Sequence, residues 1–251
     1  MINTICRWIV IMSMYSGSSF GQTLAQRLLA DYDRIGSVSC EIRKDGETPA
    51  GTTRRLSRVY FQRPDLLHVD SVTPIKRRIV ANGTHLYSYI EGDPKGFSRP
   101  ISELGEDWLI SLRNVPGSPV EHLLKLKDAP ETELPAVDGF PVRKGYQTER
   151  LFVVLALDAT NRLALIEFYN NADMAQKTAQ YLYRSFLEAV PGVWLALVHE
   201  ATLWAKGIEI KETTRISNLA VDQPIAPSLF VESNFFKEVE FVDSMDKIYP
   251  K

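Results

Sequence analysis

The nearest approach to a catalytic signature is His199-Glu200, which opens an H-E-x-x-H pattern of two imidazoles and a general base around zinc. Leu203 stands where the second histidine must be, so zinc would have one ligand and the chemistry fails. Gly17-Ser18-Ser19-Phe20-Gly21 matches the G-x-S-x-G of a serine nucleophile. No strand precedes it, and it lies in a stretch of leader character, so the match is chance. His68, His85 and His122 are scattered, and Glu103, Glu106 and Asp107 read as a solvated helix start. No phosphate-binding loop or dinucleotide glycine fingerprint occurs. The chain is read as no enzyme, with no cofactor and no metal.

Arg63 is the residue whose setting asks for another kind of explanation. In RVYFQRPDLLHVDSV (58–72), Val59 and Phe61 point one way, Arg63-Pro64 interrupts, and Leu67 and Val69 resume the alternation. A guanidinium carries five donors and keeps its charge. Between apolar strand faces it must find acceptors, and the unpaired carbonyls of a helix end are suitable. Snorkelling at a strand end is the plainer alternative.

The elements that must position these residues follow from composition and pattern. With 251 residues, 45% apolar, 24% charged and a net charge of −2, the chain is globular and offers no basic surface for nucleic acid. Residues 1–21 read as a signal peptide: Arg7, the apolar run Trp8–Met12, then Ser19 and Gly21 before a cut at Gln22. The apolar run is too short to span a bilayer. Cys40 then stands alone in the mature chain, which excludes an internal disulfide.

Leu24, Leu28, Tyr32 and Ile35 fall at helical spacing, with Gly36 as the stop. Period-two segments then run through 37–44, 54–63, 66–71 and 77–81. Asn82-Gly83 predicts a hairpin turn; Asn82-Gly83-Thr84 also fits a glycosylation sequon, and the turn is preferred. Short helices are expected over 106–114 and 118–127, the second with Ser118 and Glu121 as a capping box. Strands return at 139–148, 151–157, 163–170, 178–186, 193–205 and 208–217. With no linker and no repeat, residues 22–251 read as a single domain. The class is α+β, mainly antiparallel β.

A curved antiparallel sheet leaves a concave apolar face to fill. Helices covering it loosely would leave a cavity fit for a lipid chain. Each buried methylene is worth roughly 0.8 kcal/mol, so a sixteen-carbon chain offers about 12 kcal/mol before ordering costs.

The stretch YFQRPDLLHVDSVTPIKRRIVANGTHLYSYI (60–90) resembles the signature of the periplasmic outer-membrane lipoprotein carrier family, the LolA-like group. A strand ends in Arg-Pro, an alternating strand follows, then a Pro-containing turn, a further strand, an Asn-Gly hairpin and an aromatic strand. DYDRIGSVSCEIRK upstream and the late strand pair ending in PSLF extend the likeness over most of residues 25–231. It implies a half-open, incomplete β-barrel with helices lidding an apolar cavity that shields acyl chains. Arg63 then becomes the lid latch, bonding lid carbonyls in the empty state. Val59, Phe61, Leu67 and Val69 on the strands, with Leu28, Leu123 and Leu124 on the helices, become the acyl contacts. Ordinary core packing accounts for these positions equally well.

The resemblance further implies a soluble periplasmic monomer that binds acylated lipoproteins or lipids. Its partners would be an inner-membrane releasing transporter and an outer-membrane receptor, and nucleic acid has no place. An envelope sensor using the same fold is the alternative. The tail 232–251 has no counterpart in the family pattern.

Overall fold

The computed structural model describes residues 21–205 and 207–249. The leader reading falls on residues 1–20 and so lies outside the described residues.

Helix α1 (Leu24–Tyr32) opens the fold. Thr23 caps it: its hydroxyl accepts from Gln26 N at 3.2 Å, and the Gln26 side chain accepts in return from Thr23 N at 3.2 Å. Six strands follow: β1 (Ser37–Thr48), β2 (Gly51–Gln62), β3 (Leu66–Thr73), β4 (Arg77–Asn82), β5 (His85–Ile90) and β6 (Gly96–Pro100). Helices α2 (Glu106–Arg113) and α3 (Val120–Leu124) divide them from β7 (Glu131–Leu134), β8 (Val142–Gln147), β9 (Phe152–Leu157) and β10 (Leu163–Tyr169). The long strands β11 (Lys177–Val190), β12 (Val193–Ala205) and β13 (Ile208–Val221) precede the short β14 (Phe241–Val242).

Among the described residues these form one fourteen-stranded sheet, ordered β14-β6-β5-β4-β3-β2-β1-β13-β12-β11-β10-β9-β8-β7. Every pairing is antiparallel except β14 against β6. The sheet is open, with β7 and β14 as its edges. The first and last thirds of the chain meet at its centre, where β1 pairs with β13.

The hairpin at Asn82-Gly83 forms as expected. Asn82 Oδ1 accepts from the backbone of Thr84 at 3.0 Å and of His85 at 2.9 Å, while Gly83 takes a φ of 90° that a side chain would resist. The Asn82 amide donates to Glu232 at 3.0 Å, so its polar end is engaged on both sides.

The second expected helix differs. It spans Val120–Leu124 only, with Pro119 at its start, and the Ser118–Glu121 box does not close: the Ser118 hydroxyl accepts from Val120 N at 3.4 Å and not from Glu121 N. Ser118 is buried and donates to the Val115 carbonyl at 2.7 Å, because the Val115–Ser118 turn folds its hydroxyl inward. Gly117, at φ 85°, lets that turn press on β12, where Ala196 N donates to its carbonyl at 2.9 Å.

The side-chain alternation gives the sheet two distinct faces. On one, the register aligns Val38, Phe61, Leu67, Ala81 and Leu86 across five strands. A parallel row runs Cys40, Val59, Val69, Ile79, Ser88 and Phe97. Helices α1 and α3 bury Leu24, Ala25, Val120 and Leu123 in the same core as the first residues of these rows. On the opposite face Tyr60, His68, Val80 and Tyr87 align. The C-terminal segment covers that face with Phe230 and Phe236, both buried.

Candidate functional site

Seven residues separated by nearly a hundred positions come together beneath the helices. Val59, Phe61 and Leu123 are buried in one core, and Leu28, Leu67, Val69 and Leu124 pack against it. The topology does this: β2 and β3 carry four of them on one face, while α1 and α3, in contact with each other, bring the other three down from above.

Among the described residues the side chains at these positions pack on one another, and the expected apolar cavity is not seen between them. Phe61 and Leu123 are fully buried, as are Ile35, Leu155 and Leu195 around them. The helices are seated on the sheet and their own side chains fill the space. Hollows are found instead at the surface and carry charge. One of about 380 Å³ lies along α1, between Leu28, Asp31, Arg162 and Trp194. Another of about 440 Å³ lies between Arg58, Arg78 and Phe235.

Arg63 follows the last residue of β2, at the margin of the core. Its Nε donates to the Ile35 carbonyl at 3.0 Å and its Nη2 to the Tyr32 carbonyl at 3.3 Å. The same Nη2 lies 2.9 Å from Asp33 Oδ1. Tyr32 is the last residue of α1, and its carbonyl also accepts from Ile35 N at 3.1 Å; the guanidinium therefore ties the helix end and the turn after it to β2. The side chain is 25% exposed, so the charge keeps contact with water while its guanidinium carbon lies 5.8 Å from the centre of the Phe61 ring.

The other end of α1 is fastened as well, by residues that no sequence pattern singles out. Leu24 N donates to Glu131 Oε2 at 2.6 Å, and Ala25 N donates to the Tyr146 hydroxyl at 3.0 Å. Tyr146 in turn donates to Glu131. Burial, reinforced by that carboxylate, raises the Tyr146 pKa and keeps the hydroxyl protonated. No local pattern marks these two residues, because each meets α1 only through the pairing of β7 with β8. The Thr23–Gln26 box, by contrast, is a T-x-x-Q pattern that the sequence displays.

The titratable groups in the core are not arranged for catalysis. The Cys40 thiol is pushed up to about 12 by burial and the neighbouring Glu41, so it is a packing group at neutral pH. His199 donates from Nε2 to the Ala196 carbonyl at 3.0 Å, and burial pulls its pKa down to about 4. His122 lies against Tyr181, with ring centres 4.3 Å apart, and burial lowers its pKa. On the opposite face His68 Nδ1 meets the Leu229 carbonyl at 2.8 Å and ties down the C-terminal segment. Among the described residues no three His, Cys, Asp or Glu side chains gather as metal ligands. No described helix is long and apolar enough to cross a membrane.

No family model matches this chain, and no curated protein matches its sequence. Solved structures do match its fold. A LolA superfamily protein from Nitrosomonas europaea superposes with a TM-score of 0.54 at 14% identity, covering 84% of this chain and 99% of its own. An outer membrane lipoprotein-sorting protein domain from Vibrio parahaemolyticus gives 0.52 at 14% identity, covering 84% and 98%. The fold is LolA-like. A DUF1329 family protein from Desulfovibrio piger shares it, with a TM-score of 0.54 at 13% identity and coverage of 84% and 98%. The likeness is one of fold, at 13–14% identity.

Proposed function

We propose that this protein binds the acyl chains of lipoproteins or related lipids between its helices and its sheet and carries them across the periplasm. It performs no chemistry on them. The observation that carries this reading is the Arg63 fastening of α1 over a continuous apolar row. The guanidinium, a quarter exposed, reaches from the end of β2 to the helix end and can let go of it without uncovering the core. The lipoprotein-sorting description of the Vibrio relative supports the same reading at the level of fold.

In this reading the structure is the closed, empty state. An acyl chain enters by replacing the helical side chains, so Val59, Phe61, Leu67 and Val69 exchange Leu28, Leu123 and Leu124 for methylenes. Lifting the α1 segment alone uncovers Leu24, Leu28, Leu29, Tyr32 and Ile35, which costs roughly 10 kcal/mol at about 2 kcal/mol each. A sixteen-carbon chain returns about 12 kcal/mol. The exchange is nearly balanced, so a latch worth a few kcal/mol decides which state is populated. The periplasmic site and the membrane partners, a releasing transporter and a receptor, belong to this proposal.

Native mass spectrometry of protein drawn from a cell envelope tests it. Co-purifying lipid or lipoprotein is the expected result. Ester hydrolysis with no retained ligand would overturn it.

A further inference from the structure

The C-terminal segment crosses from one face of the sheet to the other. Phe236 and Phe241 pack near Tyr87 on the face away from the helices. After β14 the chain turns over the β6 edge through Met245–Lys247. Ile248 then joins Leu86, Phe97, Ile101, Leu104 and Leu112 in a second apolar core on the helix-bearing face. Leu67 and Ile79 pack against this core, so it abuts the row of candidate acyl contacts.

Beside Ile248 lies a hollow of about 80 Å³ whose walls include Phe97, Ser88 and Tyr249 and the charged Arg77, Lys95 and Asp93. Arg77 Nε donates to the buried Ser88 hydroxyl at 3.0 Å. No described carboxylate forms an ion pair with Arg77, and burial lowers its pKa from the usual arginine value. Asp93 in the same wall accepts from Tyr249 instead, so the partly buried guanidinium has no carboxylate within ion-pair reach, and an anion entering between Arg77 and Lys95 would relieve it. The tail is held there lightly. Tyr249 donates to Asp93, Arg99 donates to the Asp243 carbonyl at 3.0 Å, and the Lys247–Asp243 pair is solvent-exposed. Exposed pairs of this kind add little. Met245 and Tyr249 are themselves exposed.

We propose that Met245–Tyr249 is a displaceable plug, and that a single-chain anionic amphiphile of the fatty-acid type replaces it with its head group on Arg77. Its chain follows Phe97, Leu86 and Ile79 toward Leu67. This rests on the acyl-binding reading above and adds to it the head-group chemistry, the point of access and a competing segment of the protein itself.

The test compares the full chain with one ending at Ser244, using the fluorescence of parinaric acid and of its methyl ester. The shortened chain should bind the acid about tenfold more tightly. In that background Arg77→Leu should lose about tenfold for the acid and leave the ester unchanged. Ile248→Asp in the full-length chain is the second variant, should the shortened one not fold, and should tighten binding likewise. Equal affinities with and without the plug, or equal loss for acid and ester, overturn this inference while leaving acyl binding intact. Failure of every form to bind either probe overturns both.

Discussion

Arg63 Nε stands 3.0 Å from the carbonyl oxygen of Ile35, a residue 28 positions earlier in the chain. With the contact to the Tyr32 carbonyl it joins the end of β2 to the last turn of α1. Arg63 thereby shares the hold on the C-terminal end of this helix with the Tyr32 hydroxyl, which donates to the Trp194 carbonyl at 3.2 Å, and with Arg34, which donates to the Pro191 carbonyl at 2.9 Å.

Arg63→Leu removes two charge-assisted hydrogen bonds and the Asp33 contact. Partial exposure tempers their worth, so the closed state should lose about 2 kcal/mol. Urea unfolding of the empty protein measures that loss. In a transfer assay between membrane fractions the variant should take up ligand and release it poorly. Transfer at the wild-type rate would remove Arg63 from the mechanism.

Leu67 lies between Phe61 and Ala81 in the apolar row. Leu67→Asp puts an unpaired carboxylate there, which should weaken acyl retention by a few kcal/mol. Retention is to be read on protein whose circular dichroism matches the parent, because the same substitution also lowers stability. Undiminished lipid retention would place the acyl chain elsewhere.

The N-terminal anchorage of α1 can be loosened without touching the apolar face. Tyr146→Phe deletes the acceptor of Ala25 N, leaving a buried amide unsatisfied at a cost of about 1–3 kcal/mol. Amide hydrogen exchange over residues 24–26 should accelerate in this variant while exchange in β11 and β12 stays slow. Unchanged protection would mean that the capping box alone holds the helix start.

His199 makes stability depend on pH. Its pKa falls from 6.5 to about 4 on folding, so between those values the unfolded chain binds a proton that the folded chain refuses. Stability is therefore full above about pH 6.5 and declines as pH falls toward 4, by about 3 kcal/mol. His122 and His68, also lowered by burial, add to the slope in the same direction. Urea midpoints at pH 7, 6 and 5 should fall in that order, and less steeply in His199→Gln. An identical slope in the variant would exclude His199 as a source.

Gly96 accepts no side chain. A Cβ there would stand 2.5 Å from the Phe241 ring. Gly96→Ala should push β14 from the β6 edge and expose Phe236 to solvent, visible as faster proteolysis after residue 235. Cleavage at the parent rate would show that the ring simply swings aside.

The sequence by itself determined the local grammar of this protein. The 3.6-residue spacing of Leu24, Leu28 and Tyr32 made α1, and the alternation through Val59, Phe61, Leu67 and Val69 put four apolar residues on one sheet face. The Asn82-Gly83 turn fixed where β4 gives way to β5. Such signals survive because each depends on residues a few positions apart. The oddity of Arg63 was legible for the same reason. Helix-end carbonyls were the expected acceptors, but which ones was not legible, since Tyr32 and Ile35 meet Arg63 only after β2 has run back along β1. The tertiary structure alone decided that the helices close down and fill the space where a cavity was expected, because packing volume is a sum over distant side chains. It also decided that the tail, without pattern of its own, is ordered: Phe230, Phe236 and Ile248 gain their partners from strands laid down more than a hundred residues before. Burial of apolar area has no direction along the chain, so a sequence can announce which residues seek cover without saying what will cover them.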